Sequence, residues 1–380
     1  MKIYQLVIFL TIVLSIYFSV NIFLYYQTRP LFNLPSVGTW LKVIFWVLVL
    51  SYPIGRTFEA FFGGFVLIPF VKLGSMWIAA MLYLTLLFVV FWLIVPVLAK
   101  FGLNIKGIAE NRQIAVIFIY LVMLIILLAG YINATNPKVS NINIDVNKPL
   151  PTGKVRIAMV SDIHLGTIIG KKELAKLVNT VNKQNPDLVL FVGDVFDEDI
   201  TPVVNGNMGN LFEQIKSKYG VYAVTGNHEF FGNYTDKISY LKKHKITVLC
   251  DTALTVNSIN IIGRYDRQSI RALGHLRKSL VELTKNIDLS KFTILMDHQP
   301  ANLNEAVNAG IDLQLSGHTH NGQMWPLNYI TKAIYEVSMG YKKKGNTHFY
   351  VSPGYGTWGP RIRLGNRPEI VVITVNENEK

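Results

Sequence analysis

The sequence predicts a chain in two parts: an all-α transmembrane region of about four helices, followed by an α/β domain. Three observations lead there. Long apolar runs with few charges fill the chain up to about residue 134. From residue 155 onward, apolar runs of strand length alternate with segments of helical spacing. Five of those apolar runs stop abruptly at Asp, Asn or His, in SDIH, GD, GNHE, DHQP and GHTH.

Of the 380 residues, 51% are hydrophobic, and the mean hydropathy is +0.32. That is too apolar for an ordinary soluble enzyme, and the excess lies in the first third. The remainder is long enough to bury a large core. Cys250 is the single cysteine, so no intrachain disulfide forms. The net charge of +13 suits contact with anionic lipid or phosphate. No basic run interleaved with aromatics points to nucleic acid, and none is expected as a partner.

Residues 3–26 carry no charge and are long enough to cross a bilayer core of about 30 Å. Residues 76–98 and 114–131 form two more spans. Residues 43–54 become a fourth by adding Trp40, Leu41 and a snorkelling Lys42. Residues 57–71 contain Glu59, two glycines and Pro69, and read as interfacial or re-entrant. A cleaved signal peptide is the alternative for 3–26, but a small-residue cleavage site is missing and more spans follow. Trp40, Trp77, Trp92 and Tyr131 fall near span ends, as an aromatic belt does. Arg29, Lys42, Lys100, Lys106 and Arg112 on one side balance Lys2, Arg56, Lys72, Lys138 and Lys148 on the other. The positive-inside rule is therefore silent. The charge-free INATNP after the last span tips the expectation to an extracytoplasmic domain.

A transmembrane domain at 1–134 thus leads through a linker and edge strand at 135–154 to a catalytic domain at 155–380. There, KVRIAMVSD, PDLVLFVGD and GVYAVTGNHE read as buried strands. The helix KKELAKLVNTVNKQN, with Leu174, Leu177, Val178 and Val181 on one face, lies between the first two, and a helix over 210–218 precedes the third. TDKISYLKKHK is a helix; ITVLCD, LTVNS and INIIG are short strands; a long helix runs over 269–286. FTILMDHQP and IDLQLSGHTH are strands around the helix NLNEAVNAG, and HFYVSPGYG and EIVVITVN complete the sheets. There are no internal repeats.

In α/β sheets, ligands bind beyond the carboxyl ends of strands. Five strand ends deliver Asp162, His164, Asp194, Asn227, His228, His298, His318 and His320 to one edge. Five of the chain's eight histidines belong to this set, and none precedes His164. One histidine at a strand end is commonly a satisfied polar residue. Five converging ends are not explained that way. Carboxylates, imidazoles and an amide oxygen, without a thiolate, suit Mn, Fe, Zn or Mg. The donors are too many for one tetrahedral ion. Seven of them, one carboxylate bridging, fill two neighbouring sites, and two metals about 3.5–4 Å apart are the usual clamp for in-line displacement at phosphorus.

The ordered blocks SDIH, GDVFD, GNHE, DHQP and GHTH resemble the calcineurin-like metallophosphoesterase superfamily over residues 155–380. The finer pattern GNHEFF, HQP, GHTHNGQ and SPGYGTWGPRIRLGNRPEI resembles its membrane-associated bacterial branch, some of whose members cleave phosphodiester or pyrophosphate bonds in lipid-linked substrates. The resemblance implies two packed β-sheets flanked by helices. It implies that Asp162, His164 and His320 hold one divalent metal, that Asn227, His298 and His318 hold a second, and that Asp194 bridges. Manganese is foremost, with iron, zinc or magnesium as alternatives. His228 would stabilise the transition state or protonate the leaving oxygen, and Glu229 would orient His228. Asp197 is a candidate for substrate contact or support of the site, with capping of its loop as the alternative. Asn321 departs from the family's frequent glycine after GHTH, at the expected pocket rim. Arg264 and Arg267, in GRYDR, are candidates to bind a substrate phosphate, or solvated loop arginines.

Two stretches bear on substrate. GQMWPLNYITKAIYEV is unusually apolar, and GYKKKG follows with three lysines. Together they read either as a flap and basic turn facing anionic lipid, or as a packed helix with a solvated turn. The expectation is a multi-pass enzyme of a bacterial cytoplasmic membrane that attacks a phosphoester or pyrophosphate with metal-bound hydroxide, in a lipid-linked substrate. The alternatives are a soluble phosphodiester, nucleotide or phosphoprotein substrate, and a non-catalytic membrane sensor or scaffold.

Overall fold

The computed structural model describes residues 3–62, 68–101, 111–274 and 276–378. Lys2 and Lys106, counted above in the charge balance, lie outside these. The chain divides into two compact units, Met1–Ile132 with Gly359–Ile362, and Asn133–Trp358 with Arg363–Lys380.

The first unit is built on the helices α1 (Ile3–Phe32), α2 (Gly38–Phe62), α3 (Ile68–Lys100) and α4 (Arg112–Thr135). Each is long and apolar enough to cross a bilayer, with mean hydropathies of 2.4, 1.4, 2.7 and 2.9 over the spans. The helices exceed the expected spans because polar ends continue the hydrogen-bond ladder past the apolar stretch. Of the segment 57–71, expected to be interfacial or re-entrant, residues 57–62 extend α2 and residues 68–71 open α3, while 63–67 lie outside the described residues. In a lipid environment, small residues and internal hydrogen bonds hold helices together. A Cβ at Gly74 would stand 2.3 Å from the Tyr52 backbone nitrogen, so α2 and α3 touch there. Asn21, fully buried, accepts from Trp77 Nε1 at 2.9 Å and ties α1 to α3. Thr28 and Tyr120 hydroxyls, 2.8 Å apart, tie α1 to α4.

Among the described residues the second unit holds twelve strands in two six-stranded sheets. In the first sheet the order is β1 (Lys138–Val146), β12 (Glu369–Glu377), β2 (Lys154–Val160), β3 (Leu188–Val192), β4 (Val221–Val224) and β5 (Thr247–Val248). In the second it is β10 (Gly340–Lys344), β11 (Thr347–Val351), β9 (Leu313–Ser316), β8 (Phe292–Met296), β7 (Ile259–Gly263) and β6 (Thr252–Val256). The pleat alternates side chains between faces. Ile157, Met159, Leu188 and Leu190 of the first sheet therefore meet Ile261, Phe292, Ile294 and Leu313 of the second in one core. Ala158, Val189 and Phe191 point the other way, onto Leu174, Leu177 and Val181 of α5 (Lys171–Lys183). The outer face of the second sheet is covered through Leu295, Phe349, Leu283 and Leu303. Strands packed on both faces read as continuous apolar runs, which is why they were legible in the sequence.

Between β3 and β4 lie α6 (Thr201–Asn205) and α7 (Gly209–Phe212) in place of the helix expected over 210–218; α8 (Tyr234–Lys243) follows β4. The long helix expected over 269–286 is two short ones, α9 (Ser269–Leu273) and α10 (Leu280–Thr284). Gly274 at φ 72° ends the first, and Ser279 caps the second by accepting from Glu282 N. A further short helix, α11 (Asn304–Asn308), precedes β9, and α12 (Asn328–Ile334) follows it. GYKKKG is no turn but the edge strand β10, and Lys342 and Lys344 both pair with Glu336.

Candidate metal centre

β2, β3 and β4 run parallel in one sheet, β8 and β9 in the other, and their carboxyl ends meet at one place. After β2, β3 and β9 the ligands leave from a sharp bend. Asp162, His164, Asp194, His318 and His320 have φ of 52°, 52°, 50°, 70° and 45°. Glycines let these bends touch: a Cβ at Gly317 would meet Asp162 Oδ2 at 2.3 Å.

The ligand atoms of Asp162, His164 and His320 lie within 4.8 Å of one another, as do those of Asp194, His298 and His318. In the first group His164 Nε2 and His320 Nε2 are 3.0 Å apart, with Asp162 Oδ1 3.5 Å from the latter. In the second, Asn227 Oδ1 stands 2.8 Å from His318 Nδ1, and His298 Nε2 lies 3.1 Å from Asp194 Oδ2. Asp194 Oδ2 is also 3.9 Å from His164 Nε2, so one carboxylate faces both groups. The seven donors assigned from sequence are brought together in two adjoining sets. Asn227 and His318 are half-buried; the other five are buried.

The donor set fits divalent cations. His298 Nδ1 lies 2.8 Å from Val192 O, which only accepts, so Nδ1 carries the ring proton. The Nε2 lone pair then faces Asp194 and Asp162, and this buried atom has no hydrogen-bond donor. A lone pair aimed at two carboxylates requires a cation or a proton between them. Without metal the proton takes that place: burial opposes it, but the neighbouring Asp194 and Asp162 carboxylates hold His298 well above the usual imidazole range. Burial pushes Asp162 up to about 6 and His164 down to about 3. Burial and His298 bring His318 down to about 4, and burial with His164 holds His320 well below the ordinary value. Burial opposes the charge on Asp194, yet His298, His228 and His164 hold its carboxyl well below the usual range. His164, His318 and His320 are thus neutral donors, the form a metal needs, and His298 becomes one when a cation takes the place of its proton.

His228 Nδ1 stands 3.2 Å from Asp197 Oδ1. Burial works against a charged ring, but Asp197 and Asp194 raise His228 above its ordinary value. Asp197 therefore occupies the orienting position expected of Glu229. Glu229, fully buried, instead accepts from the backbone N–H of Gly226 (2.6 Å), Asp194 (2.9 Å) and Phe196 (3.1 Å), and pins the two ligand loops together. Arg264 does not reach the centre as a phosphate binder. Its guanidinium pairs with Asp297 at 3.3 Å and Glu305 at 3.0 Å. Arg267 is exposed and lies close enough to Tyr335 to affect its titration. The Tyr335 ring is 6.1 Å from that of His318. Asn321 is buried rather than at a rim, and accepts from Ser338 Oγ.

Three supports were not read from sequence. Arg363, fully buried, donates to the Pro353 and Gly356 carbonyls and lies 3.0 Å from His320 Nδ1. Asn366 Nδ2 donates to His320 O at 2.9 Å. Lys237, also fully buried, donates to the carbonyls of Asp197, His228 and Phe231, each at 2.7 Å. Its position one turn before Leu241 on the apolar face of α8 was the available signal.

The family description "Calcineurin-like phosphoesterase" matches residues 155–322. An uncharacterized metallophosphoesterase of Aquifex aeolicus is 31% identical over 248 residues, 63% of this chain and 91% of the relative. One from Campylobacter jejuni is 33% identical over 61% of this chain and 62% of its own length. A "Transmembrane protein with metallophosphoesterase domain" of Danio rerio is 31% identical over 65% of this chain and 60% of its own. The chain thus spans less than two thirds of the latter two. Calcineurin-like phosphoesterases use a dinuclear divalent metal centre, and the two adjoining ligand sets have the composition for one. On the Aquifex match and the ordered ligand set, the chain belongs to the calcineurin-like metallophosphoesterase family, with four apolar helices that associate it with membrane.

Proposed function

We propose that the protein is a membrane-anchored phosphohydrolase that cleaves a phosphoester or pyrophosphate bond, with a lipid-linked compound as substrate. The observation that carries the reaction class is the meeting of seven nitrogen and oxygen donors from five strand ends, with Asp194 facing both sets. Asp162, His164, Asp194 and His320 would hold one ion; Asn227, Asp194, His298 and His318 would hold the other, with manganese foremost. When bound, such ions polarise phosphoryl oxygens and make water nucleophilic at neutral pH. His228, kept protonated by Asp197, stands beside this pair and donates its proton to the departing oxygen. Glu229 fixes the loops that carry Asp194 and Asn227. Arg267 at the opening supplies a guanidinium for a substrate phosphate.

Support for a lipid-linked substrate comes from the rim. Trp325, Tyr329, Ile330 and Ile334 are 51%, 61%, 56% and 67% exposed on and beside α12. That helix ends at Tyr335, against His318. Trp358, 59% exposed, has its ring 6.5 Å from His228. An apolar face next to a phosphate-processing centre suits a substrate that carries acyl or prenyl chains. We place the catalytic domain on the extracytoplasmic side, to be tested by impermeant labelling of Cys250 after unfolding intact cells' outer face only.

The test is metal content with hydrolysis of a chromogenic phosphodiester by the detergent-purified full chain, across added Mn, Zn, Fe and Mg. Near two ions per chain and turnover lost in Asp194→Asn support the reading. Turnover retained by that variant refutes it. Lipid-linked and soluble diesters compared at equal phosphate concentration then decide the substrate class.

A further inference from the structure

The helical unit contains a cavity of about 690 Å³, lined by α1, α3 and α4. That is the size of a small-molecule site, roughly 300–1,000 Å³. Its lining is not what a lipid-facing bundle needs for packing alone. Arg29 comes from the last turn of α1, and Arg112 is the first residue of α4. Gln27, Asn33 and Gln113 add amides, while Phe88, Val116 and Ile119 make an apolar floor.

The charges are unbalanced. Arg29, in the last turn of α1, complements that helix's negative end and is explained without a ligand. Arg112 is not. A cation at a helix N-terminus adds to the positive end of the dipole and is disfavoured. The first turn of α4 holds no acidic residue. Among the described residues neither guanidinium meets a carboxylate, and the bundle's Glu59 is taken by Arg56 at 2.8 Å.

The arginine is nonetheless positioned. Arg112 lies over the Trp92 ring, 5.7 Å from its centroid. Trp92 Nε1 donates to Gln27 Oε1 at 2.9 Å, and Gln113 Nε2 donates to Pro30 O at 3.3 Å. These contacts hold the cavity's walls.

We infer that this cavity binds the phosphate head group of an anionic membrane phospholipid. The head group sits at Arg29, Arg112 and the α4 N-terminus, and the first acyl carbons lie along Phe88, Val116 and Ile119. A phosphate supplies the missing anion, matches guanidinium bidentately and accepts from a helix N-terminus. The apolar floor has no use for a free inorganic ion. The site is separate from the metal centre and does not depend on the reaction proposed above.

The test uses the full chain in nanodiscs of equal phosphatidylglycerol and phosphatidylcholine, extracted into detergent, with retained lipid measured by native mass spectrometry. Wild type should retain phosphatidylglycerol preferentially. In R29Q/R112Q that preference should fall on the order of tenfold to thirtyfold, at about 1 kcal/mol per arginine. R29K/R112K, which keeps the charge, should retain part of it and reports that the bundle still folds. K72Q, an exposed charge near the start of α3, should leave it unchanged. Equal retention of the two lipids by wild type overturns the inference. An unaltered preference in R29Q/R112Q, or displacement of the lipid by millimolar inorganic phosphate, overturns it as well.

Discussion

Gly226 is where the centre is most exposed to a single added methyl. A Cβ there would lie 2.1 Å from Asp194 Oδ1 and 2.5 Å from Asp194 N, whereas ordinary contact begins at 3.4 Å. About 1.3 Å (3.4 − 2.1) must therefore be found by moving Asp194 or the GNHE loop. Neither is free: Asp194 N and Gly226 N both donate to the same Glu229 oxygen. Metal–ligand distances tolerate only about 0.2 Å, so a shift of this size takes the shared carboxylate out of reach of at least one ion. Gly226→Ala should lower metal content from near two per chain to one or fewer. Turnover should fall on the order of a hundredfold or more, the usual consequence of displacing a catalytic group by about 1 Å. Overpacking costs stability by about 1–3 kcal/mol, so the variant should still fold. Gly170→Ala is the control: its Cβ would find nothing nearer than Glu173 Oε2 at 3.9 Å. Plasma mass spectrometry and phosphodiester turnover read the two variants. Two ions and wild-type turnover in Gly226→Ala would show that Asp194 does not bridge.

Three further outcomes are expected. Asp197→Asn should cut kcat on the order of 10²–10⁴-fold with metal content unchanged. Because Asp197 raises His228, the alkaline limb of the pH profile should also move to lower pH; an unmoved limb separates Asp197 from the proton donor. In the metal-free centre burial puts Asp162 at about 6, and a cation requires its carboxylate form. Dialysis at pH 5 should therefore strip metal that is retained at pH 7.5, and equal retention contradicts the assignment of Asp162. Finally, Trp325→Ser with Ile334→Ser should lower turnover of a lipid-linked diester in vesicles and spare a soluble one. Equal loss on both would assign these side chains to folding instead.

The metal-ligand set was legible because strands buried on both faces are unbroken apolar runs, so the polar residue that ends each run stands out. Asp162, Asp194, Asn227, His298 and His318 all follow such runs. Support residues have no such contrast. Arg363 lies in RIRLGNRP, which precedes β12 and forms no regular element, and its function depends on chain closure onto His320. Lys237 looks like one more lysine of a basic helix until α8 packs it inward. Glu229 was visible but given the wrong partner, because adjacency in sequence to His228 said nothing of the amides across the loop. The helix expected over 269–286 failed at Gly274, whose left-handed conformation ends α9 while Ser279 starts α10 afresh. In the membrane part, apolar length identified the helices, and Glu59, which reads as a break in the sequence, is paired with Arg56 inside α2.

The left-handed bends connect these observations. Asp162, His164, Asp194, His318 and His320 all adopt a conformation that costs an L-residue roughly 1–2 kcal/mol. Against a whole-domain stability of about 5–15 kcal/mol, five such residues are a substantial cost. Local hydrogen bonds return part of it: Asp162 N donates to Gly193 O at 3.0 Å, His164 N to Asp194 O at 3.0 Å, and His318 N to Asp162 Oδ1 at 2.9 Å. These bonds run from one ligand loop to another, so the strain is offset only while the loops stay together. The side chains oppose that closeness in part, since the single proton on His298 faces two carboxylates, Asp194 and Asp162. Cations between them remove the repulsion and reward the same backbone geometry. Metal binding and the order of these three loops are on this argument one equilibrium, so strand ends that made the centre readable in sequence are also the part of the domain whose stability depends most on its metals.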